Sequence, residues 1–173
     1  MIFSKEEYLS RLAKVKKSMD QKNMDVIILT DPSNMHYLTG YDGWSFYVPQ
    51  GIIVALDLDE PIWFGRRQDS KGAKVTTYLQ DKNIIYYPED LIQSPPTHPY
   101  DFVSSFIHEN NWANKNIGVE MDAYYYTAEN HYRLTSTCPN VKFSDATLLV
   151  NWIRLIKSKN EITYMKEGAK LVE

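Results

Sequence analysis

Apolar residues recur along the first twenty positions at helical spacing. Tyr8, Leu12, Val15 and Met19 fall on one stripe, and Ser4 followed three residues later by Glu7 is the signature of a capping box. The pattern predicts an amphipathic helix over 5–21. It gives way at "DVIILT" (25–30), a short uninterrupted apolar run bounded by Asn23 and "DPSN", which reads as a buried strand ending in a turn. "GIIVALDLDEPIWFGR" holds two more such runs, 51–57 and 61–65, around "DLDEP"; it predicts a hairpin with a solvated acidic turn. Downstream, "DSKGAKVTTYL" predicts a weak helix capped by Asp69 or Ser70, and "NIIYYP" a strand. "PYDFVSSFIHENN" predicts a helix begun by Pro99, with Phe102, Val103, Phe106 and Ile107 on one face. "KNIGVEMD" and "VKFSDA" read as strands flanking the helix "YYYTAENHYRLTS", and "TLLVNWIRLI" and "SKNEITYMKEGAKLVE" as closing helices.

Strands alternate with helices for most of the length, with one hairpin early on. That order predicts an α/β layer structure on a mixed sheet rather than a purely parallel one. At 173 residues the chain suits one domain with, at most, a short appendage. In the last helix, Ser158 and Glu161 form a second capping box, and Ile162, Met165, Ala169 and Val172 make an apolar stripe. The periodicity still runs at Glu173 without a stop signal, so the expected division is 1–157 as the domain and 158–173 as the start of a linker helix.

One stretch stands apart. "TGYDGWSFYVPQG" (39–51) packs Tyr41, Trp44, Phe46 and Tyr47 among three glycines. Read as a strand, it puts Trp44 and Phe46 on one face and Tyr47 on the other. Thirteen tyrosines and four tryptophans in the whole chain suit strands and cores; the question is whether this group faces inward or outward.

Charge and chemistry narrow the function. A net charge of −3 argues against nucleic-acid and anionic-membrane partners, which gain from counterion release. The N-terminus turns polar at once and no segment reaches about 20 apolar residues, which makes the cytoplasm the expected compartment. Cys138 is the single cysteine and reads as a passive thiol. His36, His98, His108 and His131 are scattered without metal-ligand spacing, so no metal site is expected among them. The chain has no G-x-S-x-G elbow and no glycine-rich phosphate loop, and its residues offer no catalytic centre. Arg66, Arg67, Gln68 and Asp69, directly after an apolar strand, are the remaining polar candidates, because an arginine pair can hold a carboxylate bidentately.

Several stretches taken together resemble the N-terminal domain of the creatinase/prolidase/Xaa-Pro aminopeptidase family. "SKEEYLSRLAKVKKSMDQKNMDVIILTDPSNMHYLTGYDG" resembles its opening helix, strand and P-x-N-x-x-Y-L-T-G-Y turn. "NKNIGVEMDAYYYTAENHYRL" resembles a later strand and helix, and "FSDATLLVNWIRLIKSKNEITYMKEGAKL" its interdomain junction. The resemblance implies an about six-stranded mixed sheet with helices on both faces, a ribonuclease H-like motif. It also implies a separate C-terminal pita-bread domain that would hold two divalent metal ions (Mn, Co or Zn), leaving this portion without cofactor or catalytic groups. The implied partners are that catalytic domain and a second copy in a homodimer. The implied role is to assemble the enzyme and cap its active site, with Trp44, Phe46, Tyr47, Arg67 and Asp69 as substrate-capping residues. The resemblance implies first a parent enzyme of the Xaa-Pro dipeptidase/aminopeptidase type; "GYDGWSFYVPQ", "PIWFGRRQDSKGAK" and "HPYDFV" are similar to the ectoine-hydrolase branch, which opens a cyclic amidine, so an ectoine hydrolase or creatinase-like C–N amidinohydrolase is the alternative. Apart from any resemblance, a free-standing binding module built on Trp44–Tyr47 also fits the residues.

Overall fold

The computed structural model describes residues 2–172. Six strands form one mixed sheet in the order β4-β3-β2-β1-β5-β6. They are β1 (Val26–Leu29), β2 (Gly51–Ala55), β3 (Ile62–Arg66), β4 (Ile84–Tyr87), β5 (Asn116–Val119) and β6 (Lys142–Asp145). β2 runs antiparallel to both β1 and β3, and the other neighbours are parallel. Seven α-helices complete the described chain: α1 (Lys5–Gln21), α2 (Pro32–Thr39), α3 (Arg67–Thr76), α4 (Pro99–Glu109), α5 (Ala128–Thr137), α6 (Leu149–Leu155) and α7 (Lys159–Ala169).

Strand alternation builds two cores. Ile27 and Leu29 of β1, with Ile52, Val54 and Trp63, pack under α1, α2, α3 and α6, where Tyr8, Leu12, Val15, Met19, Leu38 and Leu149 meet them. Val26 and Ile28, with Ile53, Phe64, Ile117 and Val119, pack under α4 and α5 through Tyr100, Val103, Ile107 and Leu134. Each central strand therefore buries both faces, which is why β1 and β2 read as continuous apolar runs. β5 contributes a gap to the first core: a Cβ at Gly118 would lie 2.8 Å from Met24 Sδ and 2.9 Å from Ile27 Cγ2, so the sheet and its neighbours close in only because that side chain is absent.

Local expectations were met unevenly. α1 has the expected bounds and apolar stripe, but only half of its capping box forms: Ser4 Oγ accepts from Glu7 N, while the Glu7 carboxylate turns to Arg11 and Asn160. "DPSN" is not a turn but the start of α2. Asp31 accepts from Ser33 N and Asn34 N, Pro32 takes the first helical position, and Gly40 ends the helix at φ +82°. α3 is capped by neither Asp69 nor Ser70. It starts directly from Arg66 without a side-chain cap, so Arg67 and Asp69 lie in its first turn rather than in a loop. α4 begins at Pro99 as expected, yet its buried line runs through Tyr100, Val103 and Ile107, leaving Phe102 and Phe106 half-buried at its margins. The second capping box, Ser158 with Glu161, forms in full, but the apolar residues after it, Ile162 and Met165 among them, are exposed. Among the described residues, no helix is long and apolar enough to cross a membrane.

The acidic hairpin turn is less solvated than expected. Asp57 accepts from Trp112 Nε1 at 3.1 Å. Glu60 is buried and accepts from Lys5 Nζ (2.8 Å), Gln80 N (3.1 Å) and Asn83 Nδ2 (2.9 Å), tying α1 and the β4 approach to the hairpin. Burial alone would raise the Glu60 carboxyl, but those three donors hold it below its ordinary 4.5. A carboxyl lowered in the fold adds stability above that ordinary value and loses it as pH falls. Glu60→Gln should therefore be less stable than the parent near pH 7, and the two urea midpoints should converge as pH drops below about 4.5. A gap that persists in acid would deny the ionic role.

A second buried carboxylate joins three distant segments. Glu120, just after β5, accepts from Thr30 N (2.7 Å) and Asp31 N (2.9 Å) through Oε2, and from Asn34 Nδ2 (2.5 Å) through Oε1. Asn34 in turn donates to Asn151 Oδ1 and accepts from Arg154 Nη1 at 2.7 Å. Burial pushes the Glu120 carboxyl up, and the same N–H donors pull it back. Glu120→Gln would turn an NH₂ toward groups that are themselves donors. We expect a loss of about 2–3 kcal/mol, seen as a fall of about 5–10 °C in the unfolding midpoint; a midpoint within about 1 °C of the parent, well below that fall, would overturn the assignment.

Candidate functional site

The carboxyl end of β1 and the residues after β5 open into a cleft of about 380 Å³, within the usual range for small-ligand sites. Thr30 and Pro32 line its base, where β1 passes into α2; Phe46 and Tyr47 stand on one side, Tyr124 and Tyr125 on another, and His98 at the start of α4. The lining contains no Asp, Glu, Lys or Arg. His98 Nδ1 accepts from Tyr100 N at 3.1 Å while Asp101 accepts from His98 N at 2.8 Å, a reciprocal cap that fixes the ring. Burial, aided by Arg133, pushes the imidazole below its ordinary value.

The aromatic segment is a loop anchored at both ends. Tyr41 is buried and its hydroxyl bonds Gln50 Oε1 at 3.0 Å; Ser45 Oγ accepts from Val48 N; Tyr87 donates to Pro49 O at 2.6 Å. Between these anchors the chain has no strand partner, so the expected alternation of faces does not occur. Trp44, Phe46 and Tyr47 are all exposed, at 61%, 67% and 58%, and Tyr124 joins them at 72%. Trp44 meets Tyr125 edge-on with ring centroids 6.3 Å apart, and Tyr125 meets Tyr124 at 5.2 Å.

Of the polar candidates, the structure brings Asp69 and Tyr47 together through a residue not singled out for the cap. Arg66 donates to Asp69 Oδ2 and Oδ1 at 3.1 and 3.0 Å, and its Nη1 donates to the Tyr47 hydroxyl at 3.3 Å. Its guanidinium is held above the ordinary arginine range, chiefly by the Asp69 hydrogen bond. Asp69 is thus occupied within the domain, and Arg66 braces the loop. Arg67 is exposed and separate, its guanidinium 5.8 Å from the Tyr86 ring centroid. The two arginines therefore do not form a carboxylate clamp. Tyr124, Tyr125 and His98 were the cleft residues missed, and Arg66, one of the polar candidates, braces the loop instead of binding a carboxylate ligand. The start of "YYYTAE" was read as helix, although Thr127 caps α5 and leaves both tyrosines outside it.

Two of the other histidines serve structure: His131 Nδ1 lies 3.0 Å from the Tyr126 hydroxyl, and His108 Nε2 lies 3.1 Å from Thr137 O. Cys138 is buried and free. Among the described residues, no group of three or more His, Cys, Asp or Glu side chains is placed to hold a metal ion. The cleft can sequester an uncharged or aromatic-compatible group.

The chain matches the model of the creatinase/prolidase N-terminal domain over residues 11–156. It is 47% identical over 171 residues to an uncharacterised hydrolase/peptidase of Sinorhizobium fredii, covering 99% of this chain and 44% of that protein. It is 44% identical over 171 residues to the ectoine hydrolase of Halomonas elongata, covering 98% of this chain and 43% of that one. The chain thus spans less than half the length of these curated relatives. Its fold is shared with the Xaa-Pro dipeptidase from Bacillus anthracis, at TM-score 0.72 and 17% identity over 92% of this chain and 39% of the dipeptidase. The match over most of the chain, the mixed six-stranded sheet and the Asn34–Glu120 tie between the motif segments lead to one assignment: the chain belongs to the creatinase/prolidase N-terminal domain family.

Proposed function

We propose that this chain is the non-catalytic N-terminal domain of a metal-dependent C–N hydrolase, and that its aromatic loop caps an active site built by residues outside it. The observation that carries this is the loop itself. Trp44, Phe46 and Tyr47 are displayed together on a segment pinned by Tyr41, Tyr87 and Arg66, while the two cores are complete without them. Exposed aromatics grouped on a braced loop mark a surface meant to be covered. Arg67 and Asp69 then divide in role: Asp69 braces Arg66, and Arg67 remains free to meet substrate. On this reading the two divalent ions (Mn, Co or Zn) belong to the catalytic domain. The same reading makes that domain, and a second copy in a homodimer, the chain's partners, and places the protein in the cytoplasm.

Two substrate classes fit the family, Xaa-Pro dipeptides and ectoine. The 44% identity to an ectoine hydrolase, against 17% to an Xaa-Pro dipeptidase, favours the second. The experiment is a kinetic comparison in the complete enzyme that carries this domain. Trp44→Ala and Phe46→Ala should each reduce kcat/KM about tenfold or more, mainly through KM, while the unfolding midpoint changes little because neither side chain is buried. Arg67→Ala should raise KM in the same assay. Unchanged kcat/KM in all three variants would refute the capping role, and turnover of either substrate by this chain alone with added Mn²⁺ would refute its being non-catalytic.

A further inference from the structure

A second cavity, of about 290 Å³, lies where α1 and α2 meet the α6–α7 junction. Arg11, His36, Arg154, Lys157 and Glu161 line it, with Tyr37 among its apolar members. Three cations face one carboxylate there, in a chain whose net charge is −3. Basicity at this point is local.

The cations are poorly matched by the groups around them. Arg11 is only 3% exposed, an expensive place for a guanidinium. Its Cζ lies 4.1 Å from the Phe3 ring centroid and 4.6 Å from that of Tyr37, so its plane is held between aromatic rings. Nη1 donates to Tyr37 O at 3.1 Å. The carboxylates it meets stand off, Glu7 at 3.4 Å and Glu161 at 3.5 Å, beyond the about 2.7–2.9 Å of a well-formed charged hydrogen bond. Glu161 Oε2 is already taken by Ser158 N in the α7 cap. Arg11 Nε and His36 Nδ1 are buried without a hydrogen-bond partner among the described residues. Arg154 donates to the neutral Asn34 amide oxygen and Lys157 to the Arg154 carbonyl; neither is paired with a carboxylate among the described residues. Leaving a buried donor unpaired is destabilising. A ligand that brings acceptor oxygens would supply the negative charge that Arg154 and Lys157 lack.

We propose that this cavity binds a small oxyanion, carboxylate or phosphate, with Arg154 and Lys157 as its charge partners beside the buried Arg11 guanidinium. The site is independent of the aromatic cleft and of the capping role. Its volume sits at the lower limit for small-ligand pockets, which suits an inorganic phosphate or a short organic acid.

The test uses this chain with inorganic phosphate and with acetate as probes, each compared with sodium chloride at equal ionic strength and fixed pH. One of the two oxyanions should raise the unfolding midpoint at millimolar concentration more than chloride does, by the usual linkage of binding to stability; the more effective one identifies the preferred oxyanion. Lys157→Gln, at an exposed position, should leave the ligand-free midpoint unchanged and weaken the apparent affinity about tenfold. Lys71→Gln, an equal charge change at an exposed position on α3, should leave the affinity unchanged. If both oxyanions act like chloride, or if the two lysine variants weaken binding equally, the site is refuted.

Discussion

The Glu120 carboxylate is the point on which the upper half of this domain turns. β1 and β5 are parallel neighbours, so their carboxyl ends finish side by side and leave backbone donors with no further ladder to join. Glu120 meets the N–H groups of Thr30 and Asp31 and the amide of Asn34 at once. A carboxylate in that position costs desolvation, and three converging donors are what make it tolerable. The sequence separations it closes, 90 residues to Thr30 and 86 to Asn34, mean the tie exists only once the sheet is assembled. Through Asn34 the same network reaches Asn151 and Arg154 on α6. It therefore fixes the base of the aromatic cleft, where Thr30 and Pro32 sit, and one wall of the basic cavity.

Most of the sheet was legible because its central strands bury both faces and so announce themselves as unbroken apolar runs. α2 was not, although Asp31, Pro32 and Gly40 are conventional start and stop residues. The short helix between them offers too few periods for an apolar stripe, and a "DPSN" string is as good a turn as it is a cap. The aromatic loop failed in the opposite direction. Alternation over 44–47 has meaning only on a strand with a ladder partner, and both edges of β1 and β2 are already paired within the sheet. Trp44, Phe46 and Tyr47 thus face solvent together. The polar candidates were half legible. An arginine pair after a strand is visible in sequence, but an i,i+3 pairing of Arg66 with Asp69 is seen only once α3 is known to begin at Arg67. Glu60 illustrates the same limit: a glutamate in an acidic turn looks solvated until Lys5, Gln80 and Asn83 arrive from elsewhere.

The exposed apolar residues fall into two groups with different supports. The aromatic loop is pinned by side-chain hydrogen bonds to the sheet and to α3, so its shape is set by the domain body. α7 has no buried residue, and Ile162 and Met165 are open to solvent. What holds α7 is polar: the Glu7–Asn160 hydrogen bond, the loose Arg11–Glu161 pair and the Tyr164 hydroxyl on Ile2 O, with Tyr164 edge-on to Phe3 at 5.3 Å. A helix attached through charge and hydrogen bonds gains little from hydrophobic burial, and its docking is correspondingly sensitive to ionic strength.

Arg11 links these observations. It lies on the buried stripe of α1 yet carries a charge, so its aliphatic stem serves the core while its head faces Tyr37, Glu7 and Glu161. An apolar residue of that length would pack the same space, but it would give α7 nothing to bond to and would leave Glu161 without a cation. The charge at Arg11 therefore makes sense as a device for orienting α7 rather than for stabilising the core. Because Glu161 also closes the α7 cap on Ser158, helix start and helix docking draw on the same carboxylate, which faces the buried Arg11 guanidinium of α1.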